Sequence, residues 1–192
     1  MPLNQRVQDQ FQASIHTLVD ALDLLSEPIA RSVQLLTDCL MHEGKILACG
    51  NGASALTAQY VAAVLTDKLD RDRPGLASIA LRGGAESGPA VDPAEPALAR
   101  QVAALGHAGD VLLVYSTFGQ SVAVLEAVQV AQSRDMIVIA LVGGDGGTLA
   151  EILREADVLI CAPADSPTRI HETLLLSTHC LCDGIDYLLL GA

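Results

Sequence analysis

Two short stretches carry residues of the type and spacing that hold an anion. Gly50-Asn51-Gly52-Ala53-Ser54 follows an apolar run and precedes a helical pattern. Its two glycines are free to take positive φ, and its amides, with those opening the next helix, would face a negative group. Asn51 and Ser54 add side-chain donors. Ser116-Thr117-Phe118-Gly119-Gln120-Ser121 repeats the arrangement with three hydroxyls before another helical pattern. Ser54 or Ser121 alone would read as a helix N-cap; two such turns at successive strand ends of one sheet predict an anion pocket. A third turn, Gly143-Gly144-Asp145-Gly146-Gly147-Thr148, lacks the order of a dinucleotide fingerprint and reads as a tight turn capped by Thr148.

Titratable candidates lie near the C-terminus, in Arg169-Ile170-His171-Glu172 and at His179. Eight residues along a helix rise about 12 Å, so His171 and His179 of one chain cannot hold one ion together. Histidines from two subunits could. Each is equally a helix-end or interface histidine.

The elements that position these residues follow from periodicity. Nearly continuous apolar runs at residues 45–49, 75–81, 110–115, 136–142 and 157–162 predict strands covered on both faces. Helical patterns separate them at 54–69, 93–105, 121–134 and 148–155, and a final helix spans 166–190. The alternation predicts an α/β fold, a doubly wound parallel five-stranded sheet flanked by helices with flavodoxin-like topology. Residues 1–43 show two apolar stripes broken near Ser26 and Pro28, which predicts an N-terminal helical hairpin. With 44–192 as the α/β core and C-terminal helix, the 192 residues form one domain.

Composition narrows the function. Hydrophobic residues make up 51% of the chain, yet no uninterrupted apolar run approaches the roughly 20 residues of a membrane span. The first residues carry no apolar signal region; the expectation is a cytoplasmic protein with no membrane partner. A net charge of -12 argues against direct nucleic-acid binding. The five cysteines, Cys39, Cys49, Cys161, Cys180 and Cys182, sit in apolar contexts without redox or zinc spacing and read as small buried thiols.

As an ordered set, the GNGxS turn, the STxGxS loop after a VLL strand, the GDGG turn and the RIxE helix resemble the sugar isomerase (SIS) fold. More narrowly, they resemble phosphoheptose isomerase and its relative, the DnaA initiator-associating protein DiaA, over essentially the whole chain. The resemblance implies a homotetramer holding a sugar phosphate between subunits. Its binding residues would be Asn51, Gly52, Ser54, Ser116, Thr117, Ser121 and His171. The chain departs from the family in several places. Phe118 and Gln120 replace a serine and an asparagine, and His171 replaces a glutamine. Tyr60 and Val64 replace the histidine and the glutamate that serves as base, whereas the catalytic histidine is kept as His179. Residues 82–89 form a shorter, glycine-rich loop, with Asp92 and Glu95 soon after.

Because valine cannot abstract a proton, the expectation is a non-catalytic, DiaA-like phosphosugar-binding protein without a cofactor. It would dock DnaA on an apolar anchor at Leu189 and Leu190. The alternatives are an isomerase acting on sedoheptulose 7-phosphate for heptose and envelope synthesis, and a sugar-phosphate sensor with another partner. Zinc, if bound, would fall to His171 and His179.

Overall fold

A computed structural model describes residues 1–82 and 97–191. The five apolar runs form strands: β1 Ile46–Gly50, β2 Ser78–Ala80, β3 Val111–Tyr115, β4 Ile137–Gly143 and β5 Val158–Ala162. Every pairing is parallel and the order is β2-β1-β3-β4-β5. This is the doubly wound order expected, with its topological switch between β1 and β3. The register pairs Gly50 with Tyr115, so both strands end level. The two anion turns therefore leave the same edge of the sheet, side by side.

The helices are α1 Leu3–Met41, α2 Ala53–Thr66, α3 Ala97–Leu105, α4 Val122–Ser133, α5 Gly147–Ile152 and α6 Pro167–Leu190. Alternation along the strands divides the core in two. Val111, Leu113 and Tyr115 of β3 join α1, α2 and α6 on one face. Leu112 and Val114 join α3, α4 and α5 on the other. By length and composition α6 is the one helix among the described residues that could cross a membrane. Its Ile170, Leu174, Leu181 and Ile185 are buried in the first of these cores, the placement of a core helix.

The expected hairpin is corrected to one continuous helix. Pro28 lies inside α1, where its missing N–H removes one helical bond to the Leu24 carbonyl. The serines nearby bond within the helix rather than capping a new one: Ser26 Oγ donates to the Leu22 carbonyl and Ser32 Oγ to that of Pro28. A buried stripe of Ala21, Leu25, Ser32, Val33 and Leu36 runs through the proline. Packing on this stripe offsets the lost bond, so tertiary contact overrides the local stop signal. Upstream, Phe11, Ile15, Val19 and Leu22 are exposed. That half is fastened to α6 by Arg169 donating to the Gln10 carbonyl and Ser14 Oγ donating to Glu172.

A buried ion pair locks α2 to α6. The Arg73 and Asp186 side chains are 1% and 2% exposed, and Arg73 Nε donates to Asp186 Oδ1. The remaining guanidinium N–H groups donate to the carbonyls of Val64, Leu65, Asp67 and Pro74. The arginine thus satisfies carbonyls that the C-terminus of α2 leaves without helical partners, where a cation also favours the helix dipole.

All five cysteines are free. Burial pushes the Cys49 thiol up to about 12 and, with Asp110 nearby, that of Cys39 to about 11, as inert core thiols require. Burial also opposes ionisation of Asp157. Bonds from the N–H groups of Arg154 and Val138 and from the Arg154 and Gln132 side chains outweigh it, so the carboxyl titrates below its ordinary 3.8. A depressed pKa gives stability that is full above the unfolded value and lost as pH falls. Asp157→Asn should cost about 1–3 kcal/mol at pH 7, measured by urea denaturation. The gap from wild type should narrow as pH drops below 3.8.

Candidate active site

The first turn is built on a close approach. A Cβ on Gly50 would lie 2.7 Å from the Ser54 carbonyl oxygen and 2.9 Å from that of Tyr115. Only Gly52 takes a positive φ, at 54°. Gly50 is needed for space and Gly52 for conformation, a division the sequence does not distinguish. Ser54, the second residue of α2, is 2% exposed, and its Oγ has no hydrogen-bond partner. A buried unpaired hydroxyl costs about 1–3 kcal/mol, which a ligand oxygen would recover. Asn51 stands exposed at the mouth.

The second turn is braced from behind. Ser116 is buried, and its Oγ accepts the Gly119 N–H at 3.1 Å. Gly119 takes φ 64°, and a Cβ there would fall 1.9 Å from the Gly146 carbonyl oxygen. The Thr117 and Gly119 carbonyls accept the N–H groups of Gly143 and Leu149. The third turn is therefore scaffolding for the second. Its expected cap is corrected: Gly146, not Thr148, is the N-cap of α5, and Asp145 Oδ1 accepts the Gly147 N–H. Ser121 is the N-cap residue of α4, but its hydroxyl makes no capping bond. Neither Ser54 nor Ser121 spends its hydroxyl on a helix end. Phe118 is 42% exposed at the rim of the turn.

The two histidines reach different places. His171 Nε2 lies 2.9 Å from Thr117 Oγ1, which ties α6 to the second turn. His179 Nε2 lies 2.9 Å from Tyr60 Oη, with the rings edge to face at 5.6 Å. The sequence gives no signal for the Tyr60–His179 contact, because 119 residues separate the partners. Val64, one turn beyond Tyr60, is 8% exposed and packed in the α1/α2/α6 core. Among the described residues no three His, Cys, Asp or Glu side chains gather to hold a metal ion. Within one chain His171 and His179 are bonded to different partners and do not meet on one ion. Leu189 packs against the core while Leu190 is 46% exposed, so the two leucines are not a joint surface anchor. Of the altered loop at 82–89, residues 83–89 lie outside the described residues, as do Asp92 and Glu95.

Two glycine-serine turns side by side at the topological switch point, with the Ser54 hydroxyl unpartnered and that of Ser121 making no capping bond, mark a phosphosugar-binding protein of the SIS fold. The family model described as SIS domain matches residues 10–143. Phosphoheptose isomerase of Thiobacillus denitrificans is 48% identical over all of this chain and 98% of its own. That of Dechloromonas aromatica is 46% identical over all of this chain and 99% of its own. The structure of phosphoheptose isomerase GmhA from Neisseria gonorrhoeae superposes with a TM-score of 0.88 at 43% identity, covering 96% of this chain and 99% of that one. The chain belongs to the SIS-domain family and, within it, to the phosphoheptose isomerases.

This corrects the expectation of a non-catalytic protein. Relatives alike over the full length are named as enzymes, and the inference from Val64 gave one position too much weight. The unpartnered Ser54 hydroxyl yields a test with opposite signs. Ser54→Ala should weaken sugar-phosphate binding about 5- to 10-fold by calorimetry while leaving the melting temperature unchanged or higher, because a buried orphan is removed.

Proposed function

We propose that the protein is an aldose–ketose isomerase that interconverts sedoheptulose 7-phosphate and an aldoheptose 7-phosphate. The observation that carries the reading is the placement of His179 on α6, hydrogen-bonded to Tyr60 on α2, the helix that starts at the first glycine turn. From Ser54 to Tyr60 α2 rises about 9 Å. A seven-carbon chain extended from a phosphate held at the turns brings its first two carbons level with His179. A triose phosphate held there falls short. The names of the full-length relatives support the same reading.

Isomerisation moves a proton between adjacent carbons and needs a group that both accepts and donates near neutral pH, the ordinary range of an imidazole. His179 fills that role. Ser54, Ser116, Thr117 and Ser121, with the amides of both turns, fix the phosphate end. Purified protein should convert sedoheptulose 7-phosphate, followed by chromatography of the products, and act at least ~100-fold less well on dihydroxyacetone phosphate, whose carbons sit out of reach. Equal activity on both, or none on the heptulose, would overturn the reading.

The same reading includes self-association as a homotetramer. Phe11, Ile15, Val19 and Leu22 on α1, with Leu175 and Leu176 on α6, leave more apolar surface exposed than one soluble subunit usually carries. Docking of DnaA forms no part of it, since Leu189 is half-buried against the core rather than presented beside Leu190. Sedimentation should give four subunits for wild type and smaller species for Phe11→Asp/Ile15→Asp.

A further inference from the structure

We propose that Tyr60 is the second proton-transferring group of the isomerisation, working with His179 in place of the carboxylate that Val64 does not provide. The proposal rests on the isomerase reading above. Tyr60 Oη and His179 Nε2 are already within hydrogen-bond distance at 2.9 Å, and Tyr60 is 37% exposed, so the phenol is reachable from solvent. The two residues come from α2 and α6, the helices clamped together by Arg73 and Asp186. Their separation is therefore set by a buried contact rather than by surface side chains.

Among the described residues, neighbouring titratable groups on α6 and β3 are committed elsewhere. His171 is bonded to Thr117. Glu172 accepts from Arg169 and from Ser14. Asp186 is paired with Arg73. Tyr115, a phenol of the α1/α2/α6 core, is wholly buried and bonded to Thr178, and burial pushes its pKa far up. Among the described residues, Tyr60 and His179 are the mutually bonded pair left to exchange protons with a sugar.

The step balances without any co-reactant. Neutral His179 takes a proton from C1 of the ketose, and the C1–H electron pair becomes the C1–C2 double bond. The Tyr60 hydroxyl gives its proton to the C2 carbonyl oxygen. The products are a neutral enediol, an imidazolium and a phenolate. In the second half the imidazolium returns its proton to C2, the phenolate takes the proton of the C1 hydroxyl, and C1 becomes the aldehyde.

The test compares wild type, Tyr60→Phe, His179→Gln and the double variant on sedoheptulose 7-phosphate. It measures kcat, KM, calorimetric binding and exchange of the C1 proton with D2O. Melting curves check that each variant is folded. We expect Tyr60→Phe to lower kcat by at least ~100-fold, with KM and binding within about 3-fold, and to slow C1 exchange in parallel. The double variant should fall no further than the worse single one, as for residues acting as a unit. A Tyr60→Phe protein with kcat within about 3-fold of wild type would remove Tyr60 and leave the isomerase reading standing. So would a double variant whose losses multiply. Wild-type protein that binds the sugar phosphate but neither converts it nor exchanges its C1 proton would overturn the isomerase reading and the pair with it. Should Tyr60→Phe fail to fold, nitrogen-15 spectra of His179 in wild type give the second measure. A ring nitrogen unshifted by any phenol hydrogen bond would also overturn the pair.

Discussion

The site depends on a contact that touches no ligand: the buried pairing of Arg73 with Asp186. Removing two charges from water is costly, and such a pair persists only where further hydrogen bonds satisfy what remains. Arg73 meets that condition by spending its other N–H groups on the carbonyls at the end of α2. One residue thereby closes a helix end and fixes that helix against α6. Every group assigned to proton transfer lies on those two helices. Loss of Arg73 would leave a buried carboxylate and several open carbonyls at once, which places it among the substitutions that cost several kcal/mol.

The two ends of the site differ in how they are made. The phosphate end is mostly backbone: strand ends set level by the β1–β3 register, glycines where chains touch, and amides at helix starts. The proposed sugar end, among the described residues, is side chain from helices far apart in sequence. The first can be read from a local string of residue types. The second exists only once the fold has brought α6 back across α2.

That difference explains what was legible. The strands were, because a parallel sheet covered on both faces needs unbroken apolar runs such as VLLVY and IVIALVG. The places of the two glycine-serine turns were, because each directly follows an apolar run that forms a strand and precedes a helical pattern. The helix break at Pro28 was misread, since a local stop signal says nothing of the buried stripe that carries α1 past it onto α6. The Thr148 cap was misread because the glycine before it could take a left-handed conformation unaided. Val64 was correctly seen as lacking a titratable group, but the step from that gap to absent chemistry did not hold. Tyr60, read only as the replacement of a family histidine, stands at hydrogen-bond distance from the histidine that was kept.

The contact between Gly119 and Gly146 reaches beyond geometry. With 1.9 Å between a would-be Cβ and the opposing carbonyl, no side chain of any size fits at position 119 unless the neighbouring turn retreats. That turn opens α5 and abuts β4, so its retreat would unseat the sheet edge that carries the pocket. Residue 119 can therefore change only together with the turn at Gly146, whereas Phe118, exposed at the rim of the same loop, is not held by that contact. One glycine thus fixes the backbone course of the loop while its rim stays open to substitution.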